Sequence, residues 1–293
     1  MFRIGYTSSL IRKRMELHFT KMHGAGNDFI VVDDRNLTVP WEDYQLMAAI
    51  AARRTGIGCE GIILVQPSDR ADFRMRFLNP DGTEVELCGN GARCVAQFAR
   101  SIGIAHKSMT METSCGLVDA EVEDTGVKVW VPDPTARSYS LKVDFPEVSY
   151  VGHAVSIGCP HFVVPVSPEE LEHLDVATVG AAIRQHSIFN PEGVNVDFVS
   201  YIKPNRIRMR TFERGVEAES GACGTGAVAA AVVGVEAEGI TLPVKVTTSS
   251  GFELTVDGDW RSKKCTGMTL TGPARKVFEG VIDLDQVDGA QEF

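Results

Sequence analysis

Leu87-Cys88-Gly89-Asn90-Gly91-Ala92 and Ala222-Cys223-Gly224-Thr225-Gly226-Ala227 share the frame Cys-Gly-x-Gly-Ala, about half a chain apart. Each frame opens an apolar stretch that reads as a helix, Ala92 to Ile102 after the first and the small-residue run Ala227 to Val235 after the second. Helices apolar all round belong inside a sheet rather than on a surface. A motif repeated at this spacing predicts two similar domains facing each other.

Strand patterns flank both frames. Leu17 to Asp33 is strand-like, interrupted by His23-Gly24-Ala25-Gly26-Asn27-Asp28, whose two glycines suggest a close backbone approach. Residues 41–54 read as a helix, and Gly56-Ile57-Gly58 leads into the apolar strand Ile62 to Val65. Phe73 to Leu78 alternates as a strand and stops at the turn Asn79-Pro80-Asp81-Gly82. Short strands fill residues 108–131, and Pro132 and Pro134 mark a candidate domain boundary. In the second half, strands are expected around 151–165, a helix over about 168–187, strands over 194–202 and 206–212, and more strands over 243–271. The stretch from Gly272 reads as strand and then turns acidic.

The 293 residues suit two domains at roughly 150 residues each. With 44% hydrophobic residues the chain can bury ordinary cores. A formal net charge of -10 argues against a nucleic-acid or membrane-surface partner. No apolar run approaches the roughly 20 residues that cross a bilayer. The opening MFRIGYTSSLIRKR is basic but has no apolar core, so it makes a poor signal peptide. With Met15 just ahead of the regular pattern, residues 1–14 read as a dispensable arm or an upstream start.

Seven cysteines, at 59, 88, 94, 115, 159, 223 and 265, are odd in number and scattered, and none forms a C-x-x-C pair. That disfavours a disulfide framework, structural zinc and thioredoxin chemistry, and no metal site is expected. Reduced thiols in a cytosol are the simplest reading. Cys59, Cys94, Cys115 and Cys265 read as small hydrophobes.

Cys88 and Cys223 differ because each starts a helix. There the positive end of the macrodipole favours thiolate, and the glycine amides suit a carboxylate. Two such frames face to face would clamp one anion between two thiols. Inverting a carbon next to a carboxylate needs a proton removed on one face and delivered on the other, and a thiolate and a thiol placed opposite each other do this. The charge that develops on the carboxylate is stabilised by preorganised amides. A phosphate loop is excluded, because neither frame carries the G-x-x-x-x-G-K-[ST] lysine. A dinucleotide fingerprint is not met either.

Lys21-Met22-His23-Gly24-Ala25-Gly26-Asn27-Asp28-Phe29, Phe77 to Gly82, Cys88-Gly89-Asn90-Gly91-Ala92-Arg93, and Glu213-Arg214-Gly215 followed by Ala222 to Gly226 together resemble the diaminopimelate epimerase family, over about residues 17–280. The resemblance implies an α/β (α+β) fold of two pseudo-symmetric domains, each a curved mixed β-sheet wrapped round a central α-helix, with the active site in the interdomain cleft. It implies an N-terminal domain of residues 15–133 plus 272–293 and a C-terminal domain of 134–271. The implied reaction interconverts LL- and meso-diaminopimelate for lysine and peptidoglycan synthesis. It proceeds without pyridoxal phosphate or other cofactor and without metal, in a cytoplasmic homodimer.

Carried over by position, Cys88 and Cys223 are the acid–base thiols, His161 helps Cys88, and Glu213 contacts an ammonium and assists Cys223. The amides of Gly89, Asn90, Gly224 and Thr225 hold the reacting carboxylate. Asn27 lies near that centre, and Asn79, Asn195 and Arg214 hold the distal end, Arg214 through a fork that suits a carboxylate better than lysine would.

Three positions depart from the family pattern. Cys159 stands where Asn commonly precedes Pro-His, Gly56-Ile57-Gly58-Cys59-Glu60 replaces Gly-x-Gly-x-Asp, and Glu219-Ser220-Gly221-Ala222 replaces Glu-Thr and a larger residue. A racemase on the same scaffold acting on another amino acid, such as histidine, is the nearest alternative. A catalytically silent binding protein needs only the amides, and a thiol-transfer protein is a further class. Retention of both cysteines with Asn79, Asn195 and Arg214 favours a substrate with a second carboxylate.

Overall fold

The computed structural model describes residues 15–85, 88–262 and 264–287. The arm expected over residues 1–14 lies outside them. The chain begins with β1 (Glu16–Gly24), β2 (Asn27–Asp33), α1 (Tyr44–Ala51), β3 (Gly61–Gln66), β4 (Phe73–Leu78), α2 (Gly89–Ser101), β5 (Ser108–Thr113), β6 (Gly116–Glu123) and β7 (Gly126–Trp130). There follow β8 (Thr135–Asp144), β9 (Ser149–Ser156), β10 (Pro160–Pro165), α3 (Pro168–His173), α4 (Val176–Arg184), β11 (Asn195–Ile202), β12 (Arg206–Glu213), β13 (Ala218–Ser220) and α5 (Gly224–Val233). The described chain closes with β14 (Val244–Thr247), β15 (Glu253–Arg261), β16 (Lys264–Gly272) and β17 (Arg275–Asp283).

The strand pairings repeat. In the first half β17–β1 and β1–β2 are antiparallel, β2–β3 parallel, β3–β4 antiparallel, β4–β5 parallel, and β5–β6 and β6–β7 antiparallel. In the second half β8–β9 and β9–β10 are antiparallel, β10–β11 parallel, β11–β12 antiparallel, β12–β14 parallel, and β14–β15 and β15–β16 antiparallel. The two mixed sheets join where β7 pairs antiparallel with β16, Leu270 opposite Val129. The fold is therefore of the α+β class, built as two related domains.

Each sheet surrounds one helix. α2 packs on β1, β2, β3, β4, β6 and β7, and α5 on β9, β10, β11, β12, β14, β15 and β16. All of α5 except Thr225 is buried, which its Ala and Val residues permit because small side chains let strands approach from every side. α2 departs from the all-apolar expectation: it buries Arg93 at 0% exposure while Arg100 and Ser101 face solvent. Both helices start at the glycine after the cysteine, three residues before the apolar runs begin. The helix expected over 41–54 is confined to α1, where the Asp43 side chain accepts from Leu46 N–H and Ala52 turns extended. The helix expected over 168–187 is two helices. Leu174 is extended, and the Asp175 side chain caps a new start by accepting from Thr178 N–H.

One apolar cluster spans α2, α5 and the facing strands of both halves; α1 covers a second on the outer face of the first sheet, and α3 and α4 a third on the second. No helix among the described residues is long and apolar enough to cross a membrane. Leu270 of the β7–β16 seam is fully buried beneath both helix starts: its Cδ2 would lie 3.7 Å from a Cβ at Gly89 and 3.0 Å from one at Gly224. Leu270→Ala should therefore cost about 2–5 kcal/mol, the price of a cavity in a packed site. The shift of a chemical-denaturation midpoint measures it, and a loss below about 1 kcal/mol would show that the seam is not packed as described.

Candidate active site

The two Cys-Gly-x-Gly-Ala frames meet head to head. Cys88 and Cys223 are the N-caps of α2 and α5, both in extended conformation, and their carbonyls accept the first helical bonds, from Ala92 N at 2.8 Å and Ala227 N at 3.0 Å. A Cβ at Gly224 would lie 3.9 Å from Gly89 Cα and 3.9 Å from Asn90 Oδ1. The Asn90 side chain spans the junction, donating through Nδ2 to the Ala222 carbonyl at 2.8 Å. The buried Arg93 guanidinium holds the other end of that amide, donating to Asn90 Oδ1 at 2.6 Å and to the Gly89 carbonyl at 3.3 Å. Any side chain at position 24 would strike the Asn90 carbonyl, at 2.7 Å from its Cβ, so the turn between β1 and β2 lies directly on the α2 start. That turn carries Asn27, whose Oδ1 is buried and has no hydrogen-bond partner among the described residues. Across the same junction Ser250 Oγ donates to the Ala25 carbonyl at 2.9 Å.

Glu213, at the end of β12, acts electrostatically on both thiols. Burial pushes the Cys88 thiol up to about 11; Glu213 adds to that, while hydrogen bonds from the Gly91 and Asn90 amides pull against it. Burial likewise drives Cys223 well above its ordinary value, with Glu213, Asp197 and Cys159 adding to the effect and the Thr225 hydroxyl opposing it. The helix N-termini alone would favour thiolate. Without a counter-ion, removal of the sulfur from water outweighs a dipole effect of about 0.3–1 kcal/mol. Glu213 is itself raised, first by burial, and the neighbouring Ser220 hydroxyl opposes the shift.

His161 lies with the second frame. Its Nδ1 is 2.7 Å from Asp197 Oδ2, and its Nε2 is 3.0 Å from Thr225 Oγ1 and 3.3 Å from Cys159 Sγ. Thr225 Oγ1 in turn stands 3.6 Å from Cys223 Sγ. Burial disfavours the imidazolium, but the Asp197 charge and hydrogen bond outweigh that and bring His161 up to about 10. The Thr211 hydroxyl donates to the second Asp197 oxygen at 2.7 Å.

Of the residues expected at the distal end, Asn195 opens β11, and Arg214 and Asn79 lie in loops. Asn195 accepts from Arg214 N at 2.8 Å and donates to the Pro160 carbonyl at 3.2 Å, so it fixes the Arg214 backbone. The Arg214 guanidinium makes one long contact, 3.5 Å to the Glu192 carbonyl. Asn79 closes its turn through its backbone, its N–H bonding the Thr83 carbonyl at 2.9 Å and its carbonyl accepting from Gly82 N at 2.9 Å, and it is half-buried.

Sequence reasoning missed Asp197, Arg93 and the bridging side chain of Asn90. A signal existed for Asp197, a carboxylate inside the run Asn195 to Val199 that is buried at every position. Nothing in the local pattern separates Arg93 from a surface helical arginine. Among the described residues no group of three or more His, Cys, Asp or Glu side chains could hold a metal ion.

The family profile described as diaminopimelate epimerase matches residues 19–135 and 153–277. A diaminopimelate epimerase of Aquifex aeolicus is 41% identical over 280 residues, covering 90% of this chain and 97% of that protein. One from Nitrosospira multiformis is 41% identical over 286 residues, covering 92% and 99%. Among solved structures, a phenazine biosynthesis protein of the PhzF family from Bacillus anthracis superposes with a TM-score of 0.70 at 18% identity, over 92% of this chain and 99% of that one. A hydroxyproline epimerase from Agrobacterium vitis gives 0.68 at 17% identity, over 94% of each chain. These structures share the fold.

The reactive form of a cysteine is its thiolate, so a thiol raised to about 11 gains reactivity as pH rises toward that value. Alkylation of Cys88 by iodoacetamide, resolved by peptide mass spectrometry, should rise about tenfold per pH unit from neutral pH to about pH 10. A plateau below about pH 9 would contradict the burial described.

Proposed function

The chain belongs to the diaminopimelate epimerase family, and we propose that it interconverts LL- and meso-diaminopimelate by proton transfer between Cys88 and Cys223. The observation that carries this reading is the head-to-head meeting of the two frames, Gly224 against Gly89, with Glu213 acting on both thiols. In each direction one sulfur, as thiolate, removes the α-proton, and the other, as thiol, delivers a proton to the opposite face. The amides of Gly89, Asn90, Gly224 and Thr225 receive the carboxylate whose charge grows as the carbanion forms. Both thiols are protonated in the empty site, because burial holds them up. The substrate's α-ammonium supplies the counter-charge that lowers the cost of one thiolate. Both transfers run through protein thiols, so no step is assigned to pyridoxal phosphate or a metal.

Glu213 holds the ammonium group and favours the thiol form at the position meant to donate. His161 acts from the Cys223 side through Thr225. Asn27 offers its free Oδ1 near the reacting centre, Asn79 lines the distal end, and Asn195 acts there by fixing Arg214, whose guanidinium receives the distal carboxylate. The strand pairings support residues 15–133 with 272–293 as one domain and 134–271 as the other, the cleft between them holding the site. A cytoplasmic homodimer fits the reading.

Cys88→Ala and Cys223→Ala should each lower epimerisation by at least about 10²–10⁴-fold with unchanged circular dichroism. The assay follows meso-diaminopimelate formed from the LL isomer, together with deuterium entering the α-carbon in heavy water. Normal turnover in either variant removes the two-thiol assignment. Wild-type protein that racemises histidine and leaves diaminopimelate unchanged removes the substrate.

A further inference from the structure

Cys159 stands immediately before β10, where the family pattern commonly has Asn, and the reaction proposed above gives it no part. Its sulfur lies 3.3 Å from His161 Nε2, 3.5 Å from Thr225 Oγ1 and 3.6 Å from Asn195 Nδ2. The imidazole is fully buried and anchored by Asp197, which leaves Nε2 directed at Thr225 and Cys159. Thr225 Oγ1 in turn lies 3.6 Å from Cys223 Sγ. A continuous hydrogen-bonded path therefore runs Cys223–Thr225–His161–Cys159. Cys223 is only 6% exposed, whereas Cys159 is half-buried.

A two-base reaction creates a need for such a path. Each turnover leaves the thiols with their protons exchanged, the donor now thiolate and the acceptor now thiol. Before the next substrate of the same hand binds, a proton must return to the first donor, and a buried sulfur has no direct access to water. On the reading of the site given above, we propose that Cys159 is a proton-relay thiol, which passes protons between solvent and Cys223 through His161 and the Thr225 hydroxyl.

The relay balances the protons at Cys223, and Cys88 gives up its own proton to water or regains it between turnovers. His161 Nε2–H donates to Thr225 Oγ1 as the Thr225 hydroxyl proton passes to the Cys223 thiolate, which leaves neutral imidazole and a Cys223 thiol. Cys159 then protonates the imidazole, and its thiolate takes a proton from water or a buffer acid. Reversal of these steps discharges Cys223. The charged and titratable groups around the path are Asp197, Glu213 and Arg214, with Cys223 at its inner end. Their balance suits proton passage at Cys159. Burial pushes that thiol up, but the His161 hydrogen bond and charge, with Thr225 and Arg214, hold it below its ordinary value.

The variants Cys159→Asn and Cys159→Ser keep hydrogen-bonding side chains and remove the ionising thiol. Return of the proton belongs to kcat and lies outside kcat/KM, so both variants should lose about tenfold in kcat at saturating LL-diaminopimelate with kcat/KM within about twofold of wild type. Unchanged kcat in either variant, or a parallel fall in both constants, overturns the relay. In a second measurement, Cys159 should be alkylated by iodoacetamide at neutral pH faster than Cys88 or Cys223, and His161→Gln should slow that labelling. Slower labelling of Cys159 than of the other two, or labelling indifferent to His161, also overturns it. Wild-type protein inactive on diaminopimelate overturns the reading of the site and the relay with it, whereas active wild type with unchanged kcat in the variants overturns the relay alone.

Discussion

Two helix N-termini pointing at each other repel, because each carries about half a positive charge and a first turn of amides without intrahelical acceptors. The arrangement of α2 and α5 is therefore held from outside the helices. The β7–β16 seam fixes their distance, Leu270 fills the space beneath both starts, and Asn90 ties one frame to the carbonyl ahead of the other. What remains unsatisfied is the field itself, which only an anion placed between the helices can relieve. On the proposed reading, the backbone favours a carboxylate before any side chain chooses among carboxylates.

Burial sets the second constraint. A sulfur shielded from water resists ionisation, so burial raises both thiols and the helix field does not overcome that. In the reaction proposed, a zwitterionic ligand brings both missing charges, a carboxylate for the amides and an ammonium for the thiolate and Glu213. Arrival of the ligand thus changes the acidity of the groups that act on it, and this keeps reactive thiolate scarce in its absence. Cys159 follows the opposite logic, since its neighbour is an imidazole kept cationic by Asp197.

The repeated Cys-Gly-x-Gly-Ala frame makes the two-domain architecture and the helix-capping cysteines legible, because each follows from local chemistry. The strand runs are legible for the same reason: alternation and turn residues act within a few positions. Features that depend on distant chain segments are not. The split of the helix expected over 168–187 turns on whether the Asp175 side chain caps a new start or faces solvent, and both suit one sequence. Asn90 reads as an amide donor through its backbone, while its side chain reaches a carbonyl more than a hundred residues away. Position alone does not supply the partners of His161, since β10–β11 pairing sets it opposite Asn195 and next to Asp197.

The strand order also bears on the birth of the molecule. In the second half the outer strand β8 precedes its partner β9 in the chain, and that sheet can close in the order in which it is made. In the first half the equivalent strand is β17, and Glu16 of β1 waits for Asp283. During synthesis the early sheet keeps a bare edge, carrying Phe19 and its neighbours, until β17 has left the ribosome. Contacts this far apart in sequence form slowly, and open strand edges invite pairing with other chains. The half that emerges first is therefore finished after the second, and its exposure to misassembly lasts until β17 arrives.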